Sequence, residues 1–399
     1  MTAVLDRWGG KPVEVDHDDR LGLALLTLRD LDGAAQRISE RWPRVARGGV
    51  SKRQAVLDGP PDPIDVISRG LRHFFAKKWN GWQPTIGKNR VLCDVRGSYV
   101  IGIGEIRANY VIGIGGVESN YVIGIGSEPQ SVDGAAAGFA PRAVRGDAAT
   151  GQRPAPARGS GVEIAIVDTG IFRHPWLAGS YRCDPGAIVD DVTAGHDPAE
   201  HHGTFVAGLA LRQAPGADLI VDQALDPTGH RDSWELAKDL ARLGEAQVDI
   251  VNLSLGCFTE DDLPPLVLQQ AAAQLGPRTL VVAAAGNFEP SSHRPRPSWP
   301  AALESVAAIG SFGPEGQDSV FSPAAPWIDA RAQGEHVVST YGGDTRRFPA
   351  FVAWDGTSFA AATASGYVAA QMAPGETAVQ TWRRLAANPA TSGPVRFGN

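Results

Sequence analysis

The sequence predicts an α/β fold, a doubly wound and mostly parallel sheet, over residues 160–390, preceded by a smaller N-terminal region with a β-prone repeat. Two patterns predict it. Short, nearly continuous apolar segments recur at 162–167, 217–225, 248–256, 278–287 and 305–311, as strands buried on both faces of a parallel sheet should read. Helical candidates at 203–213, 232–244 and 263–276 lie between them, and such alternation implies right-handed crossovers. Ligands of these sheets sit beyond the carboxyl ends of the strands. Asp168 and Asn287 both fall where an apolar segment runs out.

The bulk numbers fit a globular chain. Of 399 residues, 43% are hydrophobic and 20% charged, which allows a sizeable core and more than one folded unit. A formal net charge of −7 argues against a nucleic-acid footprint, which needs a basic surface. The three cysteines, Cys93, Cys183 and Cys257, are odd in number and far apart, so neither a disulfide framework nor a cysteine metal site is expected. The first residues lack a basic stretch leading into an apolar run, and no stretch is long enough to span a bilayer. The expected address is the cytoplasm, with no membrane partner.

Residues 1–97 form an N-terminal region whose role the sequence does not give. Within it, 21–31 reads equally as a strand or a short helix. Residues 62–79 read as a helix that Asp62 caps and Pro63 enters, with Ile64, Ile67, Leu71, Phe74 and Phe75 on one face. A three-fold repeat follows at 98–126: SYVIGIG, NYVIGIG and NYVIGIG, with a period of eleven. In an extended chain one face of each unit is Tyr and Ile and the other is mostly glycine. Uncharged, proline-free, β-prone units favour self-pairing, so a small meander, self-association through 98–126, and cleavage targets carried in the same chain are all open readings. Residues 127–159, rich in Ala, Pro, Gly and Arg, read as a flexible linker.

Five blocks in the last part of the chain carry chemistry: IAIVDTGI (164–171), HGTFVAG (202–208), NLSLG (252–256), VVAAAGN (281–287) and DGTSFAAATASG (355–366). Together with HPWL (174–177) and WPAALESVAAIGS (299–311) they resemble the subtilisin-like serine proteases, in that family's order of Asp, His and Ser, over about residues 160–375. The resemblance implies a serine endopeptidase with a subtilisin-like fold; no cofactor is expected, and the mechanism needs no metal. It implies Ser358 as nucleophile, His202 as general base and acid, and Asp168 as the carboxylate that orients the imidazole. His201 is a neighbouring rival, but Gly203-Thr204 places the motif on His202. Asn287 takes the oxyanion role beside the Ser358 N–H, and Ser254, Leu255, Gly256, Ala285 and Gly286 flank the substrate. The residue types suit the reaction: a serine hydroxyl needs a nearby base, and the base needs a fixed tautomer.

The chain departs from the family at Ala362, where a proline is usual, and carries no convincing acidic calcium loop. Asp190-Asp191 and Glu260-Asp261-Asp262 read as solvated faces. The implied partner is a protein or peptide substrate. Two other functions stay open: a maturation or effector protease dedicated to one partner, and an assembly protein built on the repeat. A flexible, Arg-containing linker ahead of a protease domain also suggests that 127–160 is cut.

Overall fold

Alternation in the first thirty residues builds a hairpin with two apolar faces. In the computed structural model, which describes residues 2–48, 61–86, 91–94, 115–116, 142–143, 158–189, 198–227, 229–259, 262–288, 296–342, 350–389 and 393–398, helix α1 (Thr2–Arg7) leads into strand β1 (Pro12–Asp18), antiparallel to β2 (Leu23–Leu28). The stretch at 21–31 is therefore a strand followed by a helix start. Asp18 closes the turn by accepting from the Arg20 and Leu21 N–H groups and from the Arg20 guanidinium. Leu26 and Leu28 face a small core with α2 (Leu31–Arg41), α3 (Pro43–Ala46) and α4 (Pro63–Lys78). Asp62 caps α4 through the Ile64 N–H, and Ile64, Ile67, Leu71 and Phe75 fill that core as their spacing predicts. The last piece of this region is β3 (Val91–Asp94). The repeat lies almost entirely outside the described residues; Gly115–Gly116 runs parallel to Thr27–Leu28.

The rest follows the expected alternation. In order come β4 (Glu163–Asp168), β5 (Tyr181–Cys183), α5 (His202–Gln213), β6 (Asp218–Gln223), β7 (His230–Asp232), α6 (Ser233–Ala246), β8 (Ile250–Leu253) and β9 (Leu255–Gly256). Then come α7 (Leu266–Gln274), β10 (Leu280–Ala284), β11 (Ala307–Phe312), β12 (Ala330–Gln333), β13 (Val337–Thr340), β14 (Phe351–Trp354), α8 (Thr357–Gln371), α9 (Ala378–Ala387) and β15 (Val395–Phe397). The main sheet has eight strands in the order β15-β12-β11-β10-β8-β4-β6-β5. All neighbours are parallel except the β15 edge. Strand β4 lies inside the sheet, with β6 and β5 on one side and β8 on the other, so the chain reverses its winding at the carboxyl end of β4 and opens a crevice there.

Side chains alternate across β4. Ile164 and Ile166 join the core beneath α5 and α8, while Ala165 and Val167 join the core beneath α6 and α7. Small residues let α8 sink into its layer: a Cβ on Gly366 would strike the Ala210 carbonyl of α5. Ala362 continues α8 without interruption, so the missing proline leaves the helix intact. Within 127–159, Arg142–Ala143 pairs with Val352–Ala353 of β14, so this part of the expected linker is tied to the sheet region.

The N-terminal region docks on α6. Leu21, Leu23 and Leu25, on the other face of the hairpin, join the core of Trp234, Leu236 and Leu240. Asp16 accepts from the Trp234 indole at 2.7 Å and from Lys238 at 3.1 Å. The indole, ahead of Lys238, holds Asp16 below the ordinary carboxylate range. This polar contact is present above the unfolded value of 3.8 and weakens as pH falls through the lower folded value.

Farther along α6, burial and then the Asp222 carboxylate push Asp239 up to about 6, although Arg242 bridges the two acids at 3.1 and 3.0 Å. In the unfolded chain the group titrates near 3.8. The folded state therefore binds more protons between these values, and stability contributed here falls as pH rises through that window. Asp239→Asn is expected to flatten this slope. Thermal melts from about pH 4 to pH 8 should place the variant above wild type at neutral pH, with the difference shrinking toward pH 4.

Candidate active site

The site forms where β4 ends and α5 begins. Asp168, the last residue of β4, is fully buried, and its Oδ1 accepts from the Thr169 N–H at 2.7 Å. Both its oxygens face His202 Nδ1, at 2.8 and 3.0 Å. Of the adjacent histidines it is thus His202 that meets the acid. With Nδ1 carrying the proton donated to Asp168, Nε2 is the basic nitrogen. Thr169 locks the junction: its hydroxyl donates to the Ala199 carbonyl at 3.0 Å and accepts the Gly203 N–H at 3.0 Å. A Cβ on Gly203 would collide with the Thr169 carbonyl, so the motif's glycine is what lets α5 start this close to β4. Trp354 lies edge-on to the His202 ring at 5.9 Å, and Phe359 lies 5.4 Å from it. These rings exclude water from the Asp168–His202 pair, and a charge-assisted hydrogen bond is stronger in such surroundings.

Ser358 is the second residue of α8, and the ring of the next residue, Phe359, is the one 5.4 Å from His202. Its hydroxyl donates to the Ser254 carbonyl at 3.1 Å. Ser254 returns a bond from its own hydroxyl to the Ser358 carbonyl at 2.8 Å. Asn252 donates to Ser254 Oγ at 2.9 Å and accepts from Ser365 Oγ at 3.0 Å. The Ser254 side chain is therefore turned inward, where it fixes the β8–β9 junction against the start of α8, and only its backbone faces the cleft. Sequence reasoning assigned Ser254 to substrate without separating these two roles, and it missed Asn252 and Ser365.

Asn287 follows β10 by three residues. Its Oδ1 accepts from both the N–H and the hydroxyl of Thr357, each at 3.0 Å. That anchor sets which end of the amide is the donor. Thr357 Oγ1 also accepts the Gly286 N–H at 3.2 Å, so the segment at 284–287 is tied to the start of α8. Ala285 is buried against Ala325 and Ile328. Gly286 has φ +98° and sits beside Ser298. Leu255 and Gly256 form the opposite wall, followed by Cys257, which exchanges backbone hydrogen bonds with Trp299 at 2.8 Å.

That opposite wall is occupied by this same chain. Val91–Asp94 lies as the middle strand of a three-stranded antiparallel sheet between His230–Asp232 and Leu255–Gly256. Asp94 is level with Leu255 and Cys93 with Gly256, so the strand runs toward Ser254 and thus toward the Ser358 hydroxyl. Composition gave no hint of this strand. Its four residues precede the repeat, and their partners are more than a hundred positions away.

Comparison with known proteins fits this geometry. The subtilase family profile matches residues 159–395. Subtilisin BL of Lederbergia lenta is 33% identical over 221 residues, covering 53% of this chain and 76% of that protein. Subtilisin E of Bacillus subtilis (strain 168) is 30% identical over 222 residues, covering 53% of this chain and 55% of that protein. The thermophilic serine proteinase of Bacillus sp. (strain AK1) is 31% identical over 230 residues, and the matched part spans about half of its length (52%). Among solved structures, the protease domain of PatA superposes with a TM-score of 0.50 at 21% identity, over 60% of this chain and 92% of that one, which bears on the fold alone. With a family profile matched over more than half its length, this chain belongs to the subtilase family.

Proposed function

We propose that the chain is a serine endopeptidase whose N-terminal region holds its own substrate cleft closed. What supports the first part is the buried Asp168–His202 pair, together with the 5.4 Å approach of Phe359, the residue after Ser358, to the imidazole ring. In this reading the Ser358 hydroxyl turns from the Ser254 carbonyl toward His202 Nε2 when a substrate enters. Oγ attacks the scissile carbonyl carbon as its proton passes to His202. Asn287 and the Ser358 N–H receive the oxyanion. Collapse breaks the C–N bond, His202 gives the proton to the leaving amine, and a new amino terminus departs. Water, deprotonated by His202, then cleaves the ester and releases a carboxylate. Leu255 and Gly256 hold the substrate by strand addition. Protein and peptide substrates follow from this, and no step needs a metal or cofactor.

The second part rests on Val91–Asp94, which takes the strand position that a substrate needs. The strand's register descends from Gly256 to Leu255, toward Ser254 and the hydroxyl bonded to it, so in this reading the first cut falls after Asp94 and ahead of the repeat at Ser98. This favours a first cut there over the cut in 127–160 suggested by composition; most of that segment lies outside the described residues. Casein hydrolysis and intact mass, compared between wild type and a catalytically dead chain, test both parts. Wild type is expected to lose about 10 kDa from its N-terminus and then hydrolyse casein, while the dead chain stays whole. A wild type that does not cut itself, and that is still inactive once an added protease has removed its N-terminal region, contradicts the enzyme reading. A whole but fully active wild type contradicts the restraint. A Leu92→Pro chain, which lacks one ladder N–H in a central strand, is expected to start hydrolysis without a lag.

A further inference from the structure

The residue before His202 is held in an unusual way. His201 ends the short 3-10 turn Pro198–His201 and precedes the first residue of α5. Its ring is buried between two aromatic faces: Phe172 at 4.5 Å with an interplanar angle of 11°, and Tyr341 at 4.2 Å and 20°. Gly342 closes the column behind Phe172, where any Cβ would overlap that ring.

The rings come from three segments of the site. Phe172 lies four residues beyond Asp168, and Tyr341 follows β13. Tyr341 also reaches Trp354 at 6.3 Å, and Trp354 is the ring edge-on to His202. Hydrogen bonds fasten the next turn to the same segments. Phe172 N–H donates to Thr204 Oγ1 at 2.9 Å, Thr340 Oγ1 to the Thr204 carbonyl at 2.7 Å, and Ser339 Oγ to the Phe205 carbonyl at 2.7 Å.

We infer that His201 is a positioning residue for this reaction. A flat ring in a slot between two others fixes the backbone from which His202 leaves, in translation along the column and in tilt, while the hydroxyls of 339 and 340 fix the turn that follows. Hydrogen-bond geometry between a base and its nucleophile tolerates little displacement before turnover suffers. The inference rests on the endopeptidase reading above, because positioning matters only if His202 works on Ser358.

The test compares wild type, His201→Ala and His201→Phe, each made as the full chain and incubated until its mass is constant, with kcat and KM on one chromogenic peptide and thermal melts in parallel. His201→Ala is expected to lower kcat about tenfold, as loss of two stacked contacts allows, with KM within about twofold. His201→Phe, flat and similar in size, is expected to restore most of kcat. Tyr341→Ala is expected to lower kcat as well, and in combination with His201→Ala to add less than the sum of the two, since they share one contact. A merely structural role would lower the melting temperature in His201→Ala but leave kcat of the folded protein unchanged, and that result overturns the proposal. So does a His201→Phe chain as slow as His201→Ala, which would assign the effect to the imidazole's nitrogens. A wild type with no hydrolysis at all overturns the endopeptidase reading itself, a distinguishable result because the variants then cannot differ.

Discussion

A Ser358→Ala chain is expected to fold, to stay full length and to lose about a millionfold in turnover, the scale that removal of the nucleophile has in subtilisin. The fold should survive because what the change removes is a hydrogen bond from the hydroxyl to the Ser254 carbonyl. Losing it costs about 1 kcal/mol. The reciprocal bond from Ser254 Oγ to the residue 358 carbonyl is unaffected by the change. The chemistry should fail because nothing else at the start of α8 can form the ester. Phe359, the next residue, is a buried ring, and Thr357 Oγ1 is committed to Asn287 and Gly286. Turnover is measured best after an added protease has cut away residues 1–97, so that a silent cleft cannot be mistaken for a dead one.

Asp168→Asn is expected to cost about 10⁴-fold in kcat with little change in KM. The asparagine carbonyl can still accept the Thr169 N–H. Its NH2 then faces His202 Nδ1 and donates where the carboxylate accepted. That inversion forces the proton onto Nε2, the nitrogen that must be bare to take the serine's proton. The charge that balances a protonated imidazole is lost as well. A kcat within tenfold of wild type, with both proteins equally folded, would show that Asp168 does not set the tautomer.

The subtilase unit was legible because its signals are local. Apolar runs bounded by Asp-Thr-Gly and Ala-Gly-Asn mark strands β4 and β10, and the small residues of 360–366 mark a helix that must pack closely. Motif order named Asp168, His202 and Ser358, and the structure joins the first two at 2.8 Å. The supporting shell was less legible. Asn252, Thr357 and Ser365 are common polar residues, and their meaning comes from partners up to 113 positions away. His201 was read only as a rival to His202, since no spacing rule predicts that Phe172 and Tyr341 will close on it. The N-terminal region was hardest. Its helix at 63–78 carried a cap and an amphipathic face, but the hairpin's second face has meaning only once α6 is there to meet Leu23 and Leu25. The strand at 91–94 pairs through its backbone with residues more than a hundred positions away, and backbone pairing leaves no mark in composition.

The most direct test of the central claim is covalent. Incubated with a fluorophosphonate, which reacts with a serine only when a base takes its proton, the chain freed of residues 1–97 should gain one label. Peptide mapping should locate that label on Ser358, and His202→Ala should abolish it while leaving the fold intact. Label on another residue, or equal labelling of wild type and His202→Ala, would contradict the account.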